Sequence, residues 1–226
     1  PGGDLGKLAV FGTVNDLAMV GAEPLWLSVS FLLEEGVAVE TVTRIGRSLR
    51  EAASEANVSI VTGDTKVVER GKGDGVYLNT AGIGRLLAPE LEGPRGIRPG
   101  DVLVVSGDLG RHAIAVLSAR EGLEFETRLE SDCAPLTAHV QRLRSAGIVP
   151  RCLRDLTRGG LTSALHELAG ASGFTFQLEE NSIPTCDPVR SACELFGLDP
   201  LCLANEGRFL AVVPESNARR TVEILS

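Results

Sequence analysis

Hydrophobic and polar positions in the first part of the chain alternate between helical and strand-like patterns. From Val42 to Ala56, apolar residues recur at steps of three and four, which predicts an amphipathic helix packed on one side. The glycine-rich segment 71–75 predicts a loop between two strands. The predicted elements are, in order, an apolar helix capped by Asp4 and running to Gly21, a strand over 25–33, the helix over 42–56, and strands over 58–62 and 76–84.

Proline and glycine interrupt this pattern between Pro89 and Gly100, and we interpret that stretch as a linker. It separates two predicted domains, 1–88 and 98–226. Helix and strand patterns alternate again beyond it. The elements predicted there are a strand over 101–106, a helix over 111–119, an amphipathic helix marked by Leu136, Val140 and Leu143, a helix opened by the loop 155–160, a strand over 174–178, a helix over 188–196, a strand over 209–213 and a helix from Glu215.

Composition indicates an ordinary globular protein of 226 residues, 43% of them hydrophobic. A net charge of -8 without long charged blocks argues against nucleic-acid binding. No apolar run is long enough to span a bilayer, and the first residues do not resemble a signal peptide, so we expect a cytoplasmic protein. The five cysteines form no Cys-x-x-Cys pair and suit reduced core thiols. Because the chain begins without Met and stops inside a helical pattern, we expect it to be a fragment.

Familiar catalytic and nucleotide motifs are missing from the sequence. There is no P-loop, and the glycine-rich segment 71–75 does not match the dinucleotide-binding pattern Gly-x-Gly-x-x-Gly. There is also no Gly-x-Ser-x-Gly elbow and no pair of histidines four residues apart. His112, His139 and His166 lie in helices of ordinary composition, so we interpret them as surface or core residues.

Four polar clusters stand out against apolar surroundings. Asn15 and Asp16 interrupt the first apolar helix, and a buried carboxylate there needs a partner. Asp64 and Lys66 follow the strand predicted over 58–62, at the carboxyl end where α/β proteins place ligands. The remaining two clusters are the turn 155–160, which contains Arg158, and the segment 205–207, which contains Glu206.

Together these clusters have the residue types of a magnesium and phosphate site. Carboxylates without thiolate or imidazole partners suit Mg²⁺, and a lysine with a helix N-terminus suits phosphate. Each cluster is weak evidence by itself, because Asn-Asp and Gly-Asp are common in turns and Asp155 has the alternative role of helix N-cap. From spacing alone, a phosphate site and ordinary turns are about equally favoured.

Longer strings carry a more specific resemblance, which spans the whole chain. They are PGGDLGKLAVFGTVNDLAMVGAEPLWLS from Pro1, IVTGDTKVVERGKGDGVYLNTAGIG from Ile60, RDLTRGGL from Arg154 and LCLANEGRFLAVVP from Leu201. In this order they resemble the HypE family of hydrogenase maturation proteins. That family is part of an ATP-binding superfamily with aminoimidazole ribonucleotide synthetase, selenophosphate synthetase and thiamine-monophosphate kinase.

The resemblance implies a fold and an activity. The fold is an α+β first domain, whose sheet forms a shared β-barrel in a homodimer, followed by an α/β second domain, with ATP in the cleft between them. The activity is ATP-dependent dehydration of a carbamoylated C-terminal cysteine to a thiocyanate, which supplies the cyanide ligands of [NiFe]-hydrogenases. The implied partners are a HypF-type carbamoyltransferase and a HypC–HypD-type complex.

The resemblance also assigns roles to residues of this chain. Asp16 and Asp64 would hold Mg²⁺, and Lys7 and Asn15 would position the phosphates of ATP. Lys66 and Glu206 would take the protons from nitrogen, with phosphate binding as the alternative role of Lys66. Arg158 is expected to contact an anion, with a role only at the helix N-terminus as the alternative.

The sequence also departs from the family pattern. Leu156 and Trp26 replace the usual Pro and Tyr. An acidic Thr-Thr-Asp-Ser segment expected upstream of Pro1 and a tail ending in Pro-Arg-x-Cys are both missing, and none of the five cysteines inherits the acceptor role. Two alternatives therefore stay open. One is another superfamily enzyme that activates an amide or selenide with ATP, and the other is a truncated, non-catalytic scaffold for maturation partners.

Overall fold

A computed structural model describes residues 2–87, 91–122 and 129–226 of the chain. The seven helices longer than one turn in these ranges are α1 (Leu5–Met19), α2 (Val39–Glu55), α3 (Arg111–Glu121), α4 (Thr137–Ser145), α5 (Gly160–Ser172), α6 (Asp187–Phe196) and α7 (Glu215–Leu225). The strands are β1 (Ala22–Glu34), β2 (Ser59–Val68), β3 (Val76–Leu86), β4 (Asp101–Val105), β5 (Cys152–Asp155) and β6 (Phe209–Pro214).

The first sheet has the order β2-β1-β3, with β1 parallel to β2 and antiparallel to β3. Its two faces differ in what covers them. One face packs on α1 and α2 through residues that include Leu27 and Val29, and the Thr80 hydroxyl on this face donates to the carbonyl of Ala9 at 3.1 Å. Side chains alternate along a strand, so the neighbouring positions of β1 and β3 point the other way, where no described element covers them. We call this second surface the open face.

The second sheet has the order β4-β6-β5, with both pairs antiparallel. Its central strand β6 is buried from Phe209 to Val213 because helices cover both faces. Val104, Leu153 and Phe209 pack on one side with α4 and α7, and Leu210 and Val212 pack on the other side with α5.

Helix α1 belongs to both halves of the molecule. Its first part, with Val10, Phe11 and Val14, fills the core of the first sheet, whereas Ala18 and Met19 pack into the core of the second. Asp4 caps this helix as predicted, since its carboxylate accepts the Lys7 backbone N–H at 3.0 Å. Because α1 packs against both cores, its side chains are apolar nearly all round, as is typical of buried helices.

Three strand assignments need correction. Strand β2 continues to Val68, so Asp64 and Lys66 lie inside the strand and not after its carboxyl end. No strand forms over 174–178, because this segment has no hydrogen-bonded sheet neighbour and turns Phe174 and Leu178 to solvent. The short strand β5 was missed, because its four residues are fewer than a periodic pattern can show. Pro89, in the predicted linker, lies outside the described residues.

Candidate functional site

Asn15 connects α1 to the segment that precedes α4. Its amide nitrogen donates to the Ala134 carbonyl at 3.1 Å, and its amide oxygen accepts the Leu136 N–H at 2.8 Å. The residue is only 4% exposed. The structure thus shows a bridging role for Asn15, and its predicted contact with phosphate stays a prediction that depends on the one amide hydrogen left over.

The segment that precedes α4, residues 131–136, also forms hydrogen bonds to the loop that contains Glu206. The Asp132 carboxylate accepts the Glu206 N–H at 3.2 Å and the Gly207 N–H at 3.0 Å. Asn205 lies beside them and is fully buried. Its amide nitrogen donates to the carbonyls of Leu156 and Leu203. Glu206 is consequently held through its backbone, while its side chain carries the charge of the loop.

The carboxyl group of Glu206 lies among other acids. Burial and, after it, the nearby charges of Asp132, Asp155 and Asp16 together raise its pKa to about 7. At neutral pH such a group is present in both protonation states, as a general base requires. The predicted catalytic role of Glu206 thus acquires a physical basis, although its participation in a reaction stays a prediction.

Asp16 faces this acidic group across the boundary between the two sheets. Its side chain is exposed and not buried as its apolar context predicted, but neighbouring atoms still desolvate the carboxyl and raise its pKa; the charge of Asp155 adds to the rise, and Arg154 opposes it. The Arg154 guanidinium donates to Asp155 at 2.6 Å and to Glu167 at 2.9 Å. Asp155 also accepts the Thr157 hydroxyl at 3.0 Å and does not cap α5, so its alternative role as an N-cap is not observed.

Lys7 and Arg158 are the two cations predicted to contact an anion, and they differ in exposure. Lys7 is half-buried in α1, close enough to Cys133 for its charge to lower the pKa of that thiol. Burial and the charges of Glu206 and Asp132 dominate, however, and raise the Cys133 pKa to about 12. Arg158 is exposed in the turn before α5. A phosphate contact for either cation stays a prediction.

Asp64 and Lys66 do not join this cluster within one chain. In the parallel β1–β2 register, Asp64 is the partner of Ser30 and Lys66 of Leu32, and both therefore project from the open face. Asp16 belongs to α1, which covers the opposite face of the same sheet. The sheet thus separates Asp64 and Lys66 from Asp16 and Glu206.

The predicted Mg²⁺ site needs the same correction. Asp16 and Asp64 cannot bind one ion in a single chain, because the sheet lies between their side chains. Within the ranges that the structure describes, no group of three or more His, Cys, Asp and Glu side chains is placed to hold a metal ion. A magnesium site with these two ligands stays a prediction that requires a second chain.

Sequence reasoning missed Asp132 entirely and did not assign a role to Arg154. Asp132 lies in the polar string Ser131-Asp132-Cys133 ahead of α4, a position that also suits a turn or a helix cap. Its partner Glu206 is 74 residues away along the chain. No local pattern could have indicated that pairing.

The chain matches two consecutive domains of one protein family. Residues 1–86 match the N-terminal domain described as AIR synthase related protein, and residues 98–226 match its C-terminal domain. The limits 1–88 and 98–226 stay predictions at the level of single residues. No helix in the described part of the chain combines the length and apolar character that crossing a bilayer demands.

Individual relatives are similar over the whole chain. The carbamoyl dehydratase HypE of Azotobacter vinelandii is 50% identical over 227 residues, 100% of this chain and 66% of that protein. A crystal structure of hydrogenase maturation protein HypE in complex with ATP has a TM-score of 0.96 and 45% identity, covering 100% of this chain and 67% of that one. A structure of a HypE–HypF complex has a TM-score of 0.92 and 46% identity, covering 100% and 74%. This chain thus spans about two thirds of the length of such relatives.

Two sheets joined through α1, with an acidic group at their boundary, define the class of the protein as a two-domain AIR synthase related protein. The predicted two-domain architecture is confirmed. Within that class, the chain belongs to the HypE family of hydrogenase maturation proteins.

Proposed function

We propose that the full-length protein is an ATP-dependent carbamoyl dehydratase that acts in hydrogenase maturation. The substrate would be a cysteine thiocarboxamide, and the product a thiocyanate. The amide oxygen leaves with the phosphoryl group taken from ATP, the nitrogen loses two protons, and the carbon–nitrogen bond becomes triple. Support comes from the 50% identity to a protein named carbamoyl dehydratase HypE and from the chemistry of Glu206.

Glu206 is the observation that carries this proposal. An amide N–H is a weak acid, and a base of ordinary carboxylate strength would rarely accept its proton. Raising the Glu206 pKa to about 7 makes the carboxylate a stronger base while part of it stays ionised at neutral pH.

Lys66 would complete the pair of proton acceptors only in an assembly. The open face that carries Asp64 and Lys66 also exposes Trp26 by 48% and Tyr77 by 49%. Exposed large apolar side chains on one surface favour contact with another protein. We therefore infer a homodimer that forms through the open face, in which Asp64 and Lys66 act, either on protons or on phosphate, at a site shared with the partner chain.

The anion contacts of ATP are assigned to the remaining predicted residues. Lys7 and Arg158 would bind phosphate oxygens, and Asn15 would contribute its spare amide hydrogen. Mg²⁺ would shield phosphate charge, with Asp16 and Asp64 as the proposed ligands from different chains.

We propose two partners, of which one has support from a related structure. A HypF-type carbamoyltransferase would supply the carbamoyl group, in line with the HypE–HypF complex among the similar structures. A HypC–HypD-type complex would accept the cyanide ligand. The cytoplasmic location inferred from the sequence suits these partners.

Mass spectrometry of the full-length protein tests this function. The carbamoylated cysteine peptide should lose one water when ATP is added, and Glu206→Gln should slow that loss by about 100-fold or more while ATP still binds. Glu55→Gln, an exposed position at the end of α2, is the matched control and should behave as the parent does. Dehydration at the parental rate in Glu206→Gln would remove the base from the proposal.

The same experiment separates the alternatives left open by the sequence. ATP turnover that requires a small amide or selenide metabolite, and no carbamoylated cysteine, would indicate another enzyme of the superfamily. Partner binding without any ATP turnover would indicate a scaffold.

A further inference from the structure

We propose that Asp132 is a positioning residue for Glu206, which it holds through the two backbone N–H groups of the Glu206–Gly207 loop. This inference rests on the proposed function, because it takes Glu206 as the base of the reaction. Asp132 lies 74 residues before Glu206 in the chain, and its local sequence does not indicate this role.

The contact between the two segments is close and buried. Asp132 is 8% exposed, and its Oδ2 accepts both N–H groups, at 3.2 Å from Glu206 and 3.0 Å from Gly207. The Ala134 N–H donates in return to the Glu206 carbonyl at 3.4 Å. A Cβ at position 207 would come within 1.9 Å of the Asp132 carbonyl oxygen, so only glycine allows this approach. The Glu206 backbone is therefore bonded on both sides by one segment.

The other end of that segment is tied to the first domain. Asn15 bonds to Ala134 and Leu136, and it is the immediate neighbour of Asp16 in α1. Helix α1, the segment 131–136 and the Glu206 loop thus form one connected path of hydrogen bonds. Asp132 is the member of this path that fixes Glu206 relative to Asp16 across the domain boundary.

A base needs such a support because proton transfer depends on distance. The acceptor must come within about 3 Å of the nitrogen that loses its proton. A displacement of roughly 1 Å can lower a rate by about 100-fold. Without Asp132, the Glu206 and Gly207 N–H groups lose their acceptor, and the Glu206 backbone keeps only its bond to Ala134 in this segment.

A double-mutant cycle in the full-length protein tests the inference. We expect Asp132→Ala to lower the kcat of dehydration by about 10- to 100-fold and to change the KM for ATP by less than about threefold. In a Glu206→Gln background, the same substitution should lower the residual rate by less than about twofold, because there is no base left to misplace. A residue with a purely structural role would lower both rates by the same factor.

Two further variants keep the test decisive. Asp132→Asn retains an oxygen where Oδ2 accepts the two N–H groups and should stay within about threefold of the parental kcat. If Asp132→Ala does not fold, a folded Asp132→Asn protein with a kcat reduced tenfold or more overturns the proposal. Asp199→Ala is the matched control, because Asp199 also accepts a backbone N–H, that of Leu201 at 2.9 Å, on an exposed turn. It should keep the parental kcat.

Failure of this inference differs from failure of the proposed function. If the parent forms no thiocyanate, or if Glu206→Gln is fully active, the function itself is wrong. If the parent is active and Glu206→Gln is impaired, but Asp132→Ala has equal effects in both backgrounds or none in the parent, only the role of Asp132 is refuted.

Discussion

Replacing Glu206 by Gln should stabilise the folded chain at alkaline pH while it removes the proposed base. The carboxyl group has a pKa of about 7 in the folded protein against 4.5 for the ordinary group. Folding therefore favours the protonated form, which the neutral amide of Gln imitates. The stability that the protonated carboxyl contributes is fully present below pH 4.5 and is lost as the pH rises towards 7.

The size of the effect follows from the shift in pKa. A difference of about 2.5 units corresponds to about 3 kcal/mol at pH 8, at about 1.4 kcal/mol per unit. At pH 5 the same linkage gives less than about 1 kcal/mol, because pH 5 is only slightly above 4.5, where the carboxyl group of the unfolded chain begins to ionise. Glu206 is not fully buried, and solvent screening reduces the expected gain at pH 8 to about 1–3 kcal/mol.

Urea unfolding of the 226-residue chain at pH 5 and pH 8 measures this gain. The buffer should contain neither ATP nor Mg²⁺, since both would alter the charge around the site. Glu55→Gln serves as the exposed control and should change the free energy of unfolding by less than about 0.5 kcal/mol at either pH. The reasoning is refuted if Glu206→Gln gains no stability at pH 8, or gains equally at both pH values.

Two other substitutions test the framework around the site by the free energy of unfolding. Asn15→Ala leaves two backbone groups without their partners and should cost about 2–4 kcal/mol. The control Asn181→Ala, at an exposed turn, should cost less than about 0.5 kcal/mol. Equal costs would contradict the bridging role of Asn15. Gly207→Ala forces a Cβ against the Asp132 carbonyl and should cost more than about 2 kcal/mol. In the control Gly170→Ala, the new Cβ in α5 has no atom within 4 Å, so this substitution should stabilise the helix by up to about 1 kcal/mol. A harmless Gly207→Ala would show that the two segments are not held together in solution.

Much of the fold could be predicted from local patterns. The amphipathic period of α2 indicated its buried residues Ile45, Leu49 and Ala53, and Asp4 was recognised as a helix cap. The strand expected over 174–178 was wrong because apolar residues alone do not form a strand without a neighbour to bond. The true end of β2 was missed because the polar residues after Thr62 look like a loop, yet they pair with β1.

The candidate site was predicted as a set of residues but not as an arrangement. Asn15, Asp16 and Glu206 were identified because polar residues in apolar surroundings cost free energy unless they have a partner. All three lie at the domain boundary. The sequence by itself thus determined the family and the two-domain order and singled out Asp16 and Glu206, because these depend on residue identity and on periods of a few residues. Only the tertiary structure decided that Asp64 and Lys66 face away from Glu206, and that Asp132 supports it from 74 residues away. The physical reason is that strand register and long-range hydrogen bonds are set by how elements pack, which a one-dimensional pattern does not contain.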